Sequence, residues 1–209
     1  MKFFKQIKIN LFIFGLPLLL AVFSCNNDDS SVADQENTNL TNDDNAALLF
    51  MLEEEKLARD TYTYLGDLWN INQFSNIKKS EQSHMNAIIV LLDQYDISYS
   101  LLAYGEFNNP DIQKLYDQFI EYGSENKANA LEVGANIEDL DIVDLAKFID
   151  ATTNNAMIQV FESLQCGSRN HLRSFVNAIE LSGNTYEPQY LTQEDYTLII
   201  NDSQEQCGP

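Results

Sequence analysis

The sequence predicts an all-α fold in which four long helices form a bundle and one long crossover joins its two halves. Apolar residues recur at steps of three and four along four stretches of the chain, which is the pattern of helices with one buried face. Clusters of Asn, Asp, Ser, Thr and Gly separate these stretches, as is typical of turns and helix caps. The interval between the second and third stretches is long, which favours a crossover over a tight hairpin.

The N-terminus is predicted to direct export and to carry a lipid anchor. Three lysines within the first eight residues precede the apolar run 11–23, which is too short for a membrane span but suits a signal peptide over residues 1–24. The run ends in a segment that resembles the lipobox of bacterial lipoproteins, and this resemblance implies that Cys25 is lipidated. The expected location is the bacterial cell envelope, periplasmic or at the cell surface. Phe23 is unusual in that motif, so plain secretion with cleavage nearby stays an alternative.

Composition divides the rest of the chain into a tether, one domain and a tail. Residues 25–44 are polar and acidic, so they are predicted to form a disordered tether that cannot bury enough apolar surface to fold. Residues 45–203 suit a single domain, and 204–209 form a tail. The formal net charge of −20 argues against binding to nucleic acid and would concentrate cations near the protein. Solubility is the simpler explanation of the charge.

The first predicted helix begins after the polar run 41–45 and carries Glu55 on its apolar face. That face is formed by Leu48, Met51, Leu52, Glu55, Ala58, Tyr62 and Leu65. The adjacent Glu53 and Glu54 leave this stripe, so both are predicted to face solvent. Arg59 lies four residues after Glu55 and is a candidate ion-pair partner for it.

The second predicted helix, roughly 74–95, interrupts its apolar stripe with an acid and a base. The stripe is Phe74, Ile77, Glu81, His84, Ile88 and Leu91. Residues three apart on a helix project from nearly the same face, so Glu81 and His84 should both point inward. An unpaired buried carboxylate is costly and requires a cation, a hydrogen-bonded network or water. Inward Glu-x-x-His pairs hold dimetal centres in four-helix carboxylate proteins.

The crossover and the third helix follow. Residues 96–110 are predicted to be irregular, and Pro110 suits the first turn of a short helix that ends near Gly123. The third core helix, from about 127 or 130 to 149, has the stripe Leu131, Ala135, Glu138, Ile142, Leu145 and Ile149. Asp141 lies at the edge of that stripe. Asp144 lies further around the helix from the stripe and is predicted to be exposed.

The fourth helix places a histidine inward, and a small helix closes the domain. Its stripe, which ends near residue 181, is Ile158, Phe161, Leu164, Ser168, His171, Phe175 and Ile179. Thr192 is then predicted to cap a C-terminal helix, with Asp195 three residues later. If Cys25 carries lipid, Cys166 and Cys207 remain, and an oxidising compartment would allow them to pair. Their spacing in the fold is not readable from sequence, so this disulfide is left open.

Together the four stripes predict a metal centre. The candidate ligands are Glu55, Glu81, His84, Glu138, Asp141 and His171, and these donor types suit iron, manganese or zinc. Glu81 and Glu138 are the expected bridging carboxylates because of their symmetric placement. The alternative is a metal-free binding or interaction module, in which the same residues form a buried network with Arg169 or Arg59 as counter-charge.

Three motifs resemble the DUF2202 domain, an uncharacterised group assigned to the ferritin-like superfamily. They are Glu53-Glu54-Glu55-Lys56-Leu57-Ala58-Arg59-Asp60, Ser80-Glu81-Gln82-Ser83-His84-Met85 with the preceding Phe74-Ser75-Asn76-Ile77, and Gly167-Ser168-Arg169-Asn170-His171-Leu172-Arg173-Ser174-Phe175. The resemblance covers about residues 45–200. It implies a ferritin-like four-helix bundle with an extra short helix in the crossover, but little about activity.

The resemblance also marks one departure from a two-metal site. Against the rubrerythrin-type dimetal pattern, the fourth helix has Ser168 where a glutamate is expected, although His171 is present. Either Asp141 compensates or one metal ion binds alone. The expected chemistry is oxidation of the metal by dioxygen or peroxide. No Gly-rich phosphate loop, Cys-x-x-Cys pair or nucleophile elbow occurs in the sequence.

Overall fold

A computed structural model describes residues 40–208, and within this range the chain forms six α-helices and no β-strand. The helices are α1 (Asn42–Trp69), α2 (Asn72–Gln94), α3 (Pro110–Gly123), α4 (Lys127–Ala151), α5 (Asn155–Leu181) and α6 (Gln193–Asn201). The predicted all-α bundle is therefore confirmed. None of these helices is long and apolar enough to cross a membrane. The predicted signal peptide, Cys25 and most of the predicted tether lie outside the described residues.

Helix α1 begins at Asn42, two residues before the predicted end of the tether at residue 44. Thr41 caps the helix in a reciprocal capping box, in which its hydroxyl accepts from the Asp44 N–H and the Asp44 carboxylate accepts from the Thr41 N–H. Residues 42–44 are therefore helical, which corrects the predicted tether boundary at 44. The helix ends at Asn70 in the left-handed conformation, with φ of 53°.

The four long helices pack in two antiparallel pairs. Two residues connect α1 to α2, and three connect α4 to α5. Between the two pairs, Phe50 near the start of α1 contacts Phe148 near the end of α4, with ring centroids 5.8 Å apart. Tyr62, twelve residues later on α1, donates to the carbonyl of Gly134 near the start of α4. Helix α1 is therefore antiparallel to α4, which makes α2 and α4 parallel. The crossover prediction is confirmed, because a connection between parallel helices has to span the length of the bundle.

Buried ionic groups on α1 hold the crossover against the bundle. The ammonium of Lys56, only 1% exposed, donates to Asp60 at 2.7 Å and to the carbonyls of Ala103 and Glu106 at 2.9 and 3.1 Å. Glu53 accepts hydrogen bonds from the backbone N–H groups of residues 108 and 109. The prediction that Glu53 faces solvent is wrong, because the crossover covers the side of α1 that a lone helix would expose.

The C-terminal segment is fastened to α4 and α5. The buried Asp139 of α4 accepts from the hydroxyl of Tyr186 at 2.8 Å and from the backbone N–H of Leu191 at 2.7 Å. Thr192 caps α6 by accepting from the Asp195 N–H, as predicted. The structure joins Cys166 of α5 to Cys207 by a disulfide, with a Cα–Cα distance of 5.6 Å.

Two apolar clusters fill the bundle, one toward each end. One contains Leu57, Tyr62, Phe74, Ile137, Leu172 and Phe175 among its buried residues. The other contains Leu48, Met51, Met85, Ile88, Leu145 and Phe161. On each long helix the inward acids and histidines lie where these two clusters meet, so a polar layer is placed between two apolar ones.

Candidate metal centre

The polar layer brings residues from all four long helices together. Glu55, Glu81 and Glu138 are each 2% exposed. The rings of His84 and His171 lie between α2 and α5, nearly stacked, with centroids 5.7 Å apart. Four helices that are separate in the chain thus place carboxylates and imidazoles in one buried cluster, as the apolar stripes predict.

Glu81 occupies the middle of this cluster. Its Oε2 lies 3.0 Å from Nδ1 of His84, and its Oε1 lies 2.9 Å from Nδ1 of His171. The Nδ1 atom of His84 is also 3.1 Å from Oε2 of Glu55, and that of His171 is 3.3 Å from Oε2 of Glu138. The ligand atoms therefore form two groups that share Glu81, namely Glu55 with Glu81 and His84, and Glu81 with Glu138 and His171.

Several of these atoms are close together without being hydrogen-bonded. Oε1 of Glu55, Oε1 of Glu81 and Nδ1 of His171 are buried and have no hydrogen-bond partner, although the last two are 2.9 Å apart. Their geometry does not direct a proton from one to the other. Ligand atoms held at about 2.0–2.1 Å from one ion lie about 3 Å apart and point at the ion instead of at each other. The residues present therefore fit a divalent metal ion.

No arginine or lysine neutralises the cluster among the ion pairs of residues 40–208. Arg59 donates to Asp60 at 2.7 Å and to Gln82 at 2.8 Å, so the proposed pair with Glu55 is absent. Arg169 pairs with Glu205 in the tail at 2.5 Å. Both predicted counter-charges of the metal-free network are thus wrong. The carboxylates of the cluster are balanced within this part of the chain by two imidazoles only.

Burial and mutual charge shift every titration in the cluster. Burial raises the pKa of Glu55 to about 8, although His84 opposes the shift. Burial disfavours the charged form of His171, but the charges of Glu81 and Glu138 outweigh it and raise its pKa to about 10. Burial also opposes ionisation of Glu81, yet the two histidines lower its pKa below the usual range. In the absence of metal, protons on the histidines and on Glu55 therefore offset the negative charge of the buried carboxylates.

Tyr62 and Ser168 orient the carboxylates of α4. The Tyr62 hydroxyl donates to Oε1 of Glu138 at 2.5 Å, which leaves Oε2 facing His171. Ser168 donates to Oδ2 of Asp141, and Asp141 belongs to neither ligand group. The bridging geometry expected of both Glu81 and Glu138 is therefore present at Glu81, while Tyr62 occupies one oxygen of Glu138.

Two residues next to the cluster are not apparent from the stripes. A Cβ added to Gly167 would lie 2.7 Å from Nε2 of His84, so this glycine makes room for the ring. The sequence signal for this role is a glycine inside a helix, one residue before the apolar stripe of α5. Glu54 is 3% exposed, so the prediction that it faces solvent is wrong, because α4 covers this side of α1. A wide groove lined by Phe50, Tyr99 and Phe148 lies elsewhere and contains none of the cluster residues.

The fold and the site define an all-helical bundle with a buried carboxylate–histidine cluster. Residues 44–203 match the family described as "Uncharacterized protein domain (DUF2202)", and the chain belongs to this family. It is similar to the uncharacterized protein MJ0754 of Methanocaldococcus jannaschii, with 44% identity over 168 residues, which cover 79% of this chain and 91% of that protein. The crystal structure of MJ0754, from the organism named there Methanococcus jannaschii, has a TM-score of 0.79 at 43% identity and covers 80% of this chain and 97% of that one.

Proposed function

We propose that the chain is a ferritin-like metalloprotein that binds two non-haem metal ions in its polar layer. Glu55, Glu81 and His84 would hold one ion, and Glu81, Glu138 and His171 the other, with Glu81 between them. The observation that carries the proposal is the placement of the two histidine Nδ1 atoms at 3.0 and 2.9 Å from the two oxygens of one buried carboxylate. Asp141 is a further candidate ligand through its unpaired Oδ1.

The connectivity of the helices supports the ferritin-like assignment. Two antiparallel pairs, α1 with α2 and α4 with α5, are joined by one long crossover between parallel helices. This is the arrangement in which di-iron and di-manganese carboxylate proteins build inward-facing sites.

Iron or manganese would supply oxidation chemistry with dioxygen or peroxide, and zinc also suits the same donors. The chain itself holds the ligands in place. Tyr62 fixes the orientation of Glu138, and Gly167 leaves space for the ring of His84. The apolar clusters on both sides limit the water that reaches the polar layer, which strengthens every charge interaction in it.

The proposal extends to an exported, lipid-anchored protein of the cell envelope. Cys25 would carry the lipid, and the acidic tether would separate the domain from the membrane. A disulfide between Cys166 and Cys207 is consistent with an oxidising compartment. Metal ions and the membrane are the expected partners, whereas the net charge of −20 opposes binding to nucleic acid.

The alternative, a metal-free interaction module, has less support. It requires the buried acids to be paired with arginines, and Arg59 and Arg169 pair with Asp60 and Glu205 instead. Without an arginine or a metal ion, the carboxylates of the cluster face each other in a low dielectric, which is unfavourable.

Elemental analysis of the purified full-length chain tests the metal proposal. After growth with iron, manganese or zinc, we expect close to two bound ions per chain for at least one metal. The matched control is the double variant His84→Ala, His171→Ala, which removes both histidines of the chain and should lose this metal. Substoichiometric metal after all three growths, unchanged in the double variant, would show that the cluster does not bind metal.

A further inference from the structure

A buried carboxylate on α1 has no role in the two ligand groups. Glu54 is 3% exposed, and its Oε2 is buried without a hydrogen-bond partner. Buried carboxylates normally accept several hydrogen bonds or face a cation, because both forms of compensation replace the lost water. Oε2 of Glu54 accepts no hydrogen bond from the described residues, so this oxygen is available to a ligand.

The register between α1 and α4 places two more acids beside Glu54. Phe50 of α1 packs on Phe148 of α4, and Tyr62 reaches Glu138, so the two helices run past each other in opposite directions. Interpolating between these contacts sets Glu54 opposite Asp144. Asp141 lies one turn from Asp144 toward Glu138.

The spacing along α4 agrees with this placement. Asp141 lies three residues after Glu138 and three before Asp144, so it stands one helical turn from each. Asp141 therefore lies between Asp144 and the ligand groups, with one oxygen held by Ser168 and Oδ1 unpaired.

The three acids differ in solvent exposure, with Asp144 near the surface and Glu54 and Asp141 in the interior. The side chain of Asp144 is 19% exposed and lies 4.0 Å from the exposed ammonium of Lys147. Glu54 and Asp141 behind it are 3% and 5% exposed. A line of carboxylates thus leads from the rim of the α1–α4 face to the polar layer, and two of its members have free buried oxygens.

We propose that Asp144, Glu54 and Asp141 form a transit site through which divalent transition-metal ions reach the metal centre. This inference rests on the proposed function, since a route needs a destination. Oxygen ligands alone hold such ions less tightly than a set that includes imidazole, so an ion at the transit site would pass on to the histidine-containing groups. The charge of a passing cation would replace that of Lys147 at the mouth.

Stopped-flow uptake of Co²⁺ by the metal-free full-length chain tests the route. The absorption of bound Co²⁺ gives both the rate of loading and the final occupancy. We expect Glu54→Gln and Asp144→Asn each to slow loading at least about tenfold while the final absorbance stays that of the wild type. Asp150→Asn is the matched control: it removes one charge from the exposed end of the same helix, away from the route, and should load at the wild-type rate.

Each outcome has a defined meaning. Loading of Glu54→Gln and Asp144→Asn at the rate of Asp150→Asn overturns the transit site but leaves the metal centre intact. Loss of final absorbance in Glu54→Gln, with an unchanged melting temperature, makes Glu54 a ligand of the centre and also overturns the route. Absence of Co²⁺ binding by the wild type contradicts the proposed function itself, and the route with it. A purely structural role for Glu54 predicts a lower melting temperature in the metal-free variant and unchanged loading.

Discussion

Gly167 illustrates how the site depends on single residues that are not ligands. It lies on α5 between Cys166, which holds the tail, and Ser168, which bonds Asp141. The missing side chain is what allows His84 to stand with Nδ1 toward Glu55 and Glu81. Gly134 on α4 instead lies against the ring of Phe175 in one of the apolar clusters. A substitution at Gly167 therefore tests the geometry of the site, whereas one at Gly134 tests the packing of the core.

Replacing Gly167 with alanine should weaken metal binding without unfolding the domain. The new Cβ would lie 2.7 Å from Nε2 of His84, so the ring must move and draw Nδ1 away from its carboxylates. Alanine favours a helix interior over glycine by about 1 kcal/mol, which offsets part of the strain. We expect the affinity for Mn²⁺ to fall about 10- to 100-fold in an equilibrium titration.

Gly134→Ala is the comparison for that experiment. Its Cβ would lie 2.4 Å from the ring of Phe175, so this variant should lose stability in a thermal melt of the metal-free chain. Equal Mn²⁺ affinity in Gly167→Ala and the wild type would show that the position of the His84 ring does not matter for binding.

At the level of elements, α1 and α5 each serve two neighbours. Helix α1 faces the bundle with Glu55 and Tyr62, and holds the crossover with Glu53 and Lys56. Helix α5 carries Ser168 and His171 inward, while its outer face holds the tail. Such helices have no wholly exposed face, and acids on their second side are buried by partners that are distant in sequence.

The attachment of the tail to α5 should depend on pH. Glu205 accepts from Arg169 at 2.5 Å and from Arg173 at 2.8 Å, and these hydrogen bonds, that of Arg169 foremost, lower its pKa from 4.5 to about 2. A carboxylate with a lowered pKa stabilises the fold above the unfolded value of 4.5 and loses this contribution as the pH falls toward 2. Glu205→Gln should therefore lower the unfolding free energy by about 0.5–1 kcal/mol at pH 7.

Urea unfolding of the oxidised chain at several pH values measures this difference. The gap between wild type and Glu205→Gln should be constant from pH 7 to about 5 and shrink below 4.5. Glu180→Gln changes an exposed acid on α5 and should show no such gap. A gap that is the same at pH 3 and pH 7 would mean that Glu205 acts through something other than its charge.

At the scale of the whole molecule, the polar layer divides the core into two apolar clusters. Three buried glutamates with two histidines are a weak point in a metal-free bundle, because burial opposes the charged forms, as the raised pKa of Glu55 shows. A bound cation would convert that weak point into a cross-link among all four long helices. Stability should therefore respond to metal more strongly than the size of the site suggests.

Removal of metal should lower the melting temperature of the loaded chain. An ion that binds only the native state stabilises it by about 2.7 kcal/mol at a free concentration one hundred times its dissociation constant. Differential scanning calorimetry before and after treatment with a chelator measures the shift. The double variant His84→Ala, His171→Ala controls for ions held loosely by the acidic surface and should show no shift. An equal shift in both proteins would place the stabilising ions outside the cluster.

Much of the fold and site can be predicted from local sequence. The period of the apolar residues identifies four helices and their inward faces, and caps such as Thr192 follow from short-range hydrogen bonds. The inward positions of Glu55, Glu81, His84, Glu138 and His171 follow from the same period, because a side chain on an apolar stripe must share its direction.

The partners on the opposite faces follow only from the fold. Periodicity assigns Glu53 and Glu54 to solvent, yet the crossover covers one and α4 the other. It likewise leaves open that Asp139 anchors the C-terminal segment and that Arg59 and Arg169 turn away from the cluster. By itself the sequence determined which residues face inward along each helix, since that depends on residues three and four apart. The tertiary structure alone decided which charges are neutralised and which stay unpaired, since their partners lie tens of residues away along the chain.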